Sequence, residues 1–95
     1  MNPTLNVAAN GHMMLDLNDS PDSYWQSLSE HLVTGCGFHR VGEAVIGAGE
    51  QIHQSFYQQT FTLAAGWDNW SGHYLLSESV EGDEFLKKLF DEIGK

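Results

Sequence analysis

A chain of 95 residues carries 13 Asp and Glu against 4 Lys and Arg, a formal net charge of -9, and Arg40 is its one Lys or Arg between Met1 and Leu86. A surface this negative repels nucleic acid and anionic membranes, so neither is an expected partner, whereas a basic protein is. The length is that of one domain, the hydrophobic fraction of 41% lies above the disordered range, and no apolar run approaches the ~18 residues of a membrane span.

Met1 to Gly11 is small, polar and weakly periodic, which predicts a flexible arm over 1–11 and a single domain over 12–95. It has neither the basic nor the apolar region of a secretory signal, and the lone Cys36 cannot form an internal disulfide. Both point to the cytoplasm. Met13 to Asp16 reads as a short strand. In Ser20-Pro21-Asp22, Ser20 is expected to cap a helix, Pro21 to occupy its first position and Asp22 to favour the positive end of its dipole. Tyr24, Trp25, Leu28, Leu32 and Val33 then recur at helical spacing to Thr34, where Gly35 is expected in the left-handed conformation.

Phe38 to Ile46 predicts a second strand, bulged at Gly42, and Gly47-Ala48-Gly49-Glu50 a turn. Ile52 to Ala65 is expected as one strand, with Thr60-Phe61-Thr62-Leu63 as its signature. Gly66 to Gly72 is expected as a turn, and His73 to Ser77 as the returning strand of an antiparallel hairpin. Phe85, Leu86, Leu89, Phe90 and Ile93 form the apolar stripe of a last helix, with Glu81, Asp83 and Glu84 at its start and Gly94 at its end. The order β-α-β-β-β-α predicts an α+β two-layer sandwich, a mainly antiparallel sheet with two helices on one face.

Few residues invite chemistry. Cys36 and His39 could pair as thiolate and imidazole, but they follow a helix C-terminus, where the dipole disfavours a thiolate. His12, His31, His39, His53 and His73 show no metal-ligand spacing, so only tertiary contacts could assemble a metal site from them and the carboxylates. Asp16 to Asp22 superficially matches a calcium loop, but Pro21 stands at the required glycine and Ser27 at the bidentate glutamate. Gly47-Ala48-Gly49 lacks the following helix and lysine of a phosphate cradle, and there is no GxSxG. No catalytic residue, metal or cofactor is expected.

The most conspicuous cluster is Trp67-Asp68-Asn69-Trp70, followed by His73. Aromatic rings beside Asp and Asn at a hairpin tip suit stacking on a ligand or anchoring a protein, and packing of one tryptophan over the sheet edge is the competing explanation.

The helix from Ser20 to Thr34, the stretch Phe56-Tyr57-Gln58-Gln59-Thr60-Phe61-Thr62-Leu63, the aromatic loop, His73-Tyr74-Leu75-Leu76-Ser77-Glu78 and the closing helix together resemble a family of small gammaproteobacterial proteins with a domain of unknown function. The likeness spans about residues 12 to 93 by element order and implies a bacterial cytosolic origin. It carries no site residues across.

The expected function is a non-catalytic protein-binding or regulatory module, with a homodimer through the sheet. The alternatives are a metal-dependent enzyme built from scattered His and carboxylates, and a small-ligand-binding domain using the Trp67/Trp70 loop.

Overall fold

In a computed structural model, which describes residues 3–18, 20–47, 50–69 and 72–93, the chain is a mixed α+β protein with two helices and a mainly antiparallel sheet. Its elements are β1 (Thr4–Val7), β2 (Met13–Asp16), α1 (Asp22–Thr34), β3 (His39–Val41), β4 (Val45–Ile46), β5 (Glu50–Ile52), β6 (Ser55–Tyr57), β7 (Thr62–Asp68), β8 (Gly72–Ser77) and α2 (Val80–Ile93). The sheet order is β1-β2-β8-β7-β5-β4, with β6 joining β7 to β3. β6 pairs with the first residues of β7 and β5 with the last, so the two act as one strand interrupted at His53 and Gln54.

Strand side chains alternate between faces. Register therefore places Leu63 with Ser77, Ala65 with Leu75 and Trp67 with His73 on one face, where Leu75 also meets Leu15 of β2. Leu15, Leu63, Ala65, Leu75 and Ser77 on that face are buried. Into the same core α1 sends Trp25, Leu28 and Leu32, and α2 sends Leu86 and Leu89, in each case from the apolar side of an amphipathic helix. The other face carries Val45, Ile52, Gly66 and Tyr74 in one register row, and Ala64, Leu76 and Met14 in the next. Its apolar side chains are half-buried or exposed.

Several expectations are corrected. Thr4–Val7 is not a free arm but pairs with β2, and the hairpin is tied to α2: the Met13 amide donates to Asp83 Oδ1 at 2.8 Å, and His12 Nδ1 lies 2.9 Å from Oδ2. The element order is β-β-α followed by six short strands and a helix, because the expected strand over Phe38 to Ile46 breaks at Gly42 (φ 83), and that over Ile52 to Ala65 breaks twice. The second break is a turn in which Gln58 and Phe61 exchange backbone hydrogen bonds. It frees Phe61 to pack edge-on against Phe38.

Ser20 does not cap α1: its hydroxyl donates to the Leu17 carbonyl, and Pro21 is the capping residue. Gly35 is right-handed (φ -99) rather than left-handed, and a Cβ there would press within 2.7 Å of the His31 ring. α2 starts at Val80 with Glu81 and Asp83 in its first turn, as expected, and Ser79 Oγ accepts from the Gly82 amide as its cap. Gly82 is buried against β8, where a Cβ would meet the Ser77 hydroxyl at 2.5 Å. Gly94, expected to end the helix, lies outside the described residues, as do Ala48 and Gly49 of the expected turn.

Candidate functional site

The expected hairpin-tip cluster is divided by the fold. β7 runs through Gly66 to Asp68, so Trp67 is a half-buried strand residue rather than a loop residue, and Asp68 pairs in register with Gly72. Asn69 is exposed in the turn. Trp70 lies outside the described residues. His73 points the other way from what a binding tip requires: it is only 7% exposed and belongs to the helix-facing side of β8, beside Trp67.

Around His73 the structure gathers residues distant in sequence. His73 Nε2 lies 2.8 Å from Asp22 Oδ1 in the first turn of α1, and His73 Nδ1 lies 2.9 Å from His53 Nε2 in the break between β5 and β6. The position of His53 is fixed by its amide, which donates to the Ala65 carbonyl. Both imidazoles lie on the indole of Trp25, one turn after Asp22, with ring centroids 5.2 Å (His73) and 5.0 Å (His53) away and interplanar angles of 4° and 20°. An Asp carboxylate, a row of two imidazoles and a supporting indole thus form one unit between α1 and the sheet.

The hydrogen-bond network sets the tautomers. A carboxylate only accepts, so His73 Nε2 carries its hydrogen; with both rings neutral, His73 Nδ1 then accepts and His53 donates from Nε2 and keeps its lone pair on Nδ1. Burial lowers the pKa of His53, the neighbouring His73 lowers it further, and Asp22 raises it by a smaller amount; the net shift is downward from 6.5. The lowered pKa keeps His53 neutral at neutral pH, and a neutral ring that donates from Nε2 leaves Nδ1 as an acceptor.

His53 also lines a cavity of about 160 Å³ shared with Trp25, Ser29, Arg40, Gln54 and Phe56. Arg40 comes from β3, opposite Phe56 in register, and its guanidinium stands 6.0 Å from the Phe56 ring centroid. Its polar contacts are long: 3.4 Å to Ser29 Oγ and 3.6 Å to Glu30 Oε1. The Ser29 hydroxyl donates to the Gln26 carbonyl at 2.9 Å, which spends its proton away from the imidazoles. An activated nucleophile would need that proton directed at a base.

The other chemical candidates disperse. The Cys36 thiol is pushed above 9 by burial and by Glu92, which makes it a poor nucleophile. His12 pairs with Asp83, while His31 and His39 are exposed on separate elements. Among the described residues no group of three or more His, Cys, Asp or Glu side chains is placed to hold a metal ion, and no helix is long and apolar enough to cross a membrane.

Of the residues singled out in the sequence, the structure keeps His73 in the new cluster with Trp67 beside it. From sequence Asp22 reads as a helix-dipole residue, Trp25 as part of a core stripe and His53 as one of five histidines without ligand spacing. The three-residue spacing of Asp22 and Trp25, which puts both on one side of a helix, was the available signal. Nothing linear connects His53 to His73.

A second surface is apolar. Val41, Val45, Ile46, Ile52 and Tyr57 are 40, 55, 81, 53 and 46% exposed, and all lie on β3 to β6 at one end of the sheet. Exposed Glu43 and Glu50 flank them. On the face that carries Val45 and Ile52, Tyr74 lies across Gly66, where a Cβ would collide with its phenol. Burial, followed by Asp68 and Glu50, pushes that phenol above 10, which marks the acidic character of this face. No family model matches the chain, and no curated protein or solved structure matches it.

Proposed function

We propose that this chain is a non-catalytic, acidic protein-binding module of the bacterial cytosol: a two-layer α+β sandwich whose uncovered sheet face and β4 edge dock a basic protein. The observation that carries the reading is the exposure of Val41, Val45, Ile52 and Tyr57 on the uncovered face at one end of the sheet, with Ile46 exposed on the β4 edge and Glu43 and Glu50 beside them. Isolated exposed apolar residues are ordinary, but a contiguous group rimmed by charge is the composition of an interaction surface. An edge strand adds unpaired backbone groups that a partner can meet.

A second copy of the chain is a weaker candidate than a basic partner, because two molecules of net charge -9 repel as they approach. The same field works against nucleic acid. The metal-dependent alternative loses ground to the scatter of His12, His31 and His39 over separate elements, and the hairpin-tip alternative to the placement of Trp67 in a strand.

The test is capture of a partner from native cytosol by the wild-type chain and by Ile52→Asp and Glu50→Lys variants. The expected partner is basic, is released by rising salt, and is lost with either variant. A partner retained equally by both variants would remove this surface from consideration.

A further inference from the structure

We propose that the cavity between α1 and the β3–β6 end of the sheet binds a small hydroxy acid, its carboxylate on Arg40 and its hydroxyl on His53 Nδ1. Arg40 is the one Arg of the chain, in a protein whose other cations are Lys87, Lys88 and Lys95 near its end. A guanidinium offers five donors in a planar fork suited to a carboxylate. Here it is held by one 3.4 Å contact to a hydroxyl and a 3.6 Å ion pair with the exposed Glu30, a kind of pairing that is weak and readily exchanged. The fork therefore has capacity for a ligand.

His53 decides what the rest of that ligand must be. Its Nε2 is committed to His73, which is in turn committed to Asp22, so with both rings neutral the remaining nitrogen of this cavity-lining residue, Nδ1, is an acceptor. An acceptor rewards a ligand hydroxyl and gives nothing to a bare carboxylate or phosphate oxygen. Because Glu30 offsets part of the guanidinium charge, a monoanion is matched better than a dianion. The volume of about 160 Å³ corresponds to about five water-sized units of ~30 Å³. Trp25 and Phe56 line the remainder and favour a short apolar chain. These elements lie on the helix side of the sheet, so the proposal is independent of the docking face.

Calorimetric titration of the whole chain with 2-hydroxybutyrate, butyrate and inorganic phosphate at low salt tests this directly. 2-Hydroxybutyrate should bind, butyrate about tenfold more weakly for want of the hydroxyl, and phosphate no better than butyrate. Arg40→Gln, at an exposed position that leaves the core untouched, should weaken 2-hydroxybutyrate by about thirtyfold. His53→Phe keeps a ring on Trp25 but removes the acceptor, and should bind the two acids alike. If that variant does not fold, the wild-type ratio of the two acids and the Arg40→Gln loss still decide. No binding at about 10 mM, equal affinity of the wild type for the two acids, a preference for phosphate, or unchanged binding by Arg40→Gln would each overturn the proposal.

Discussion

Three influences meet at His53: burial and the adjacent His73 lower its pKa from 6.5, and Asp22 acts in the opposite direction. Below pH 6.5 the unfolded chain therefore takes up a proton that the folded chain resists. Stability follows the proton balance, so it is fully present above about 6.5 and declines as pH falls toward the lower folded value. Thermal melts at pH 7.5 and 5.5 should show a lower midpoint for the wild type at the acid pH, and a smaller drop for His53→Phe. Asp83 titrates in a separate window. Burial by itself would raise its pKa, but the Met13 amide, the His12 ring and the Ser77 hydroxyl hold it down to about 2. Its contribution is thus present above 3.8 and lost as pH falls through about 2. At neutral pH Asp83→Asn should cost about 1.5 to 3 kcal/mol, the range for a hydrogen bond to a charged group, measured by urea unfolding. In Asp83→Asn the edge strand β1 and the turn at His12 should lose hydrogen-exchange protection before β2, which stays paired with β8, because Asp83 ties that turn to α2.

Among the elements, α1 couples core and cluster through one side chain. Trp25 is 8% exposed, stacks on both imidazoles and meets Phe56 edge-on at 6.1 Å. Trp25→Ala should cost about 3 to 5 kcal/mol, a large share of the about 5 to 15 available to a domain, and the melting transition should weaken sharply or vanish. Trp67→Ala, at a half-buried strand position, should leave a cooperative transition. If Trp67→Ala proved as damaging as Trp25→Ala, the assignment of the anchoring role to Trp25 would be wrong. Elements with a strong local signal were readable without coordinates: the apolar spacing of Trp25, Leu28 and Leu32 yields α1, and Met13 to Asp16 is β2 as expected. What could not be read depends on contacts made at a distance. Thr4–Val7 has no pattern of its own and is a strand because β2 offers it a partner. The turn at Gln58–Phe61 overrides a strand-like run because Phe61 gains Phe38 and Phe85 by leaving the sheet line. For the same reason no linear pattern joins His73 to Asp22 and His53, since these partners come from α1 and from a strand break.

For the molecule as a whole, charge and the uncovered face act on association in opposite directions. Apolar area at β3 to β6 favours contact, and a net charge of -9 opposes contact with another copy. Salt separates the two, since charge repulsion between molecules is screened over about 8 Å at physiological ionic strength while apolar burial is not. By light scattering the isolated chain should be monomeric at low salt, and any self-association should grow with added salt and diminish in Ile52→Asp. Binding of the basic partner should follow the reverse trend, strongest at low salt, because there the screened term is an attraction. A gel shift with DNA or RNA at low salt, where the field is least screened, should show no complex. A dimer equally strong at low and high salt and indifferent to Ile52→Asp would mean that another surface controls association, because no contact made through the acidic β3–β6 end could escape both the charge of Glu43 and Glu50 and the loss of Ile52.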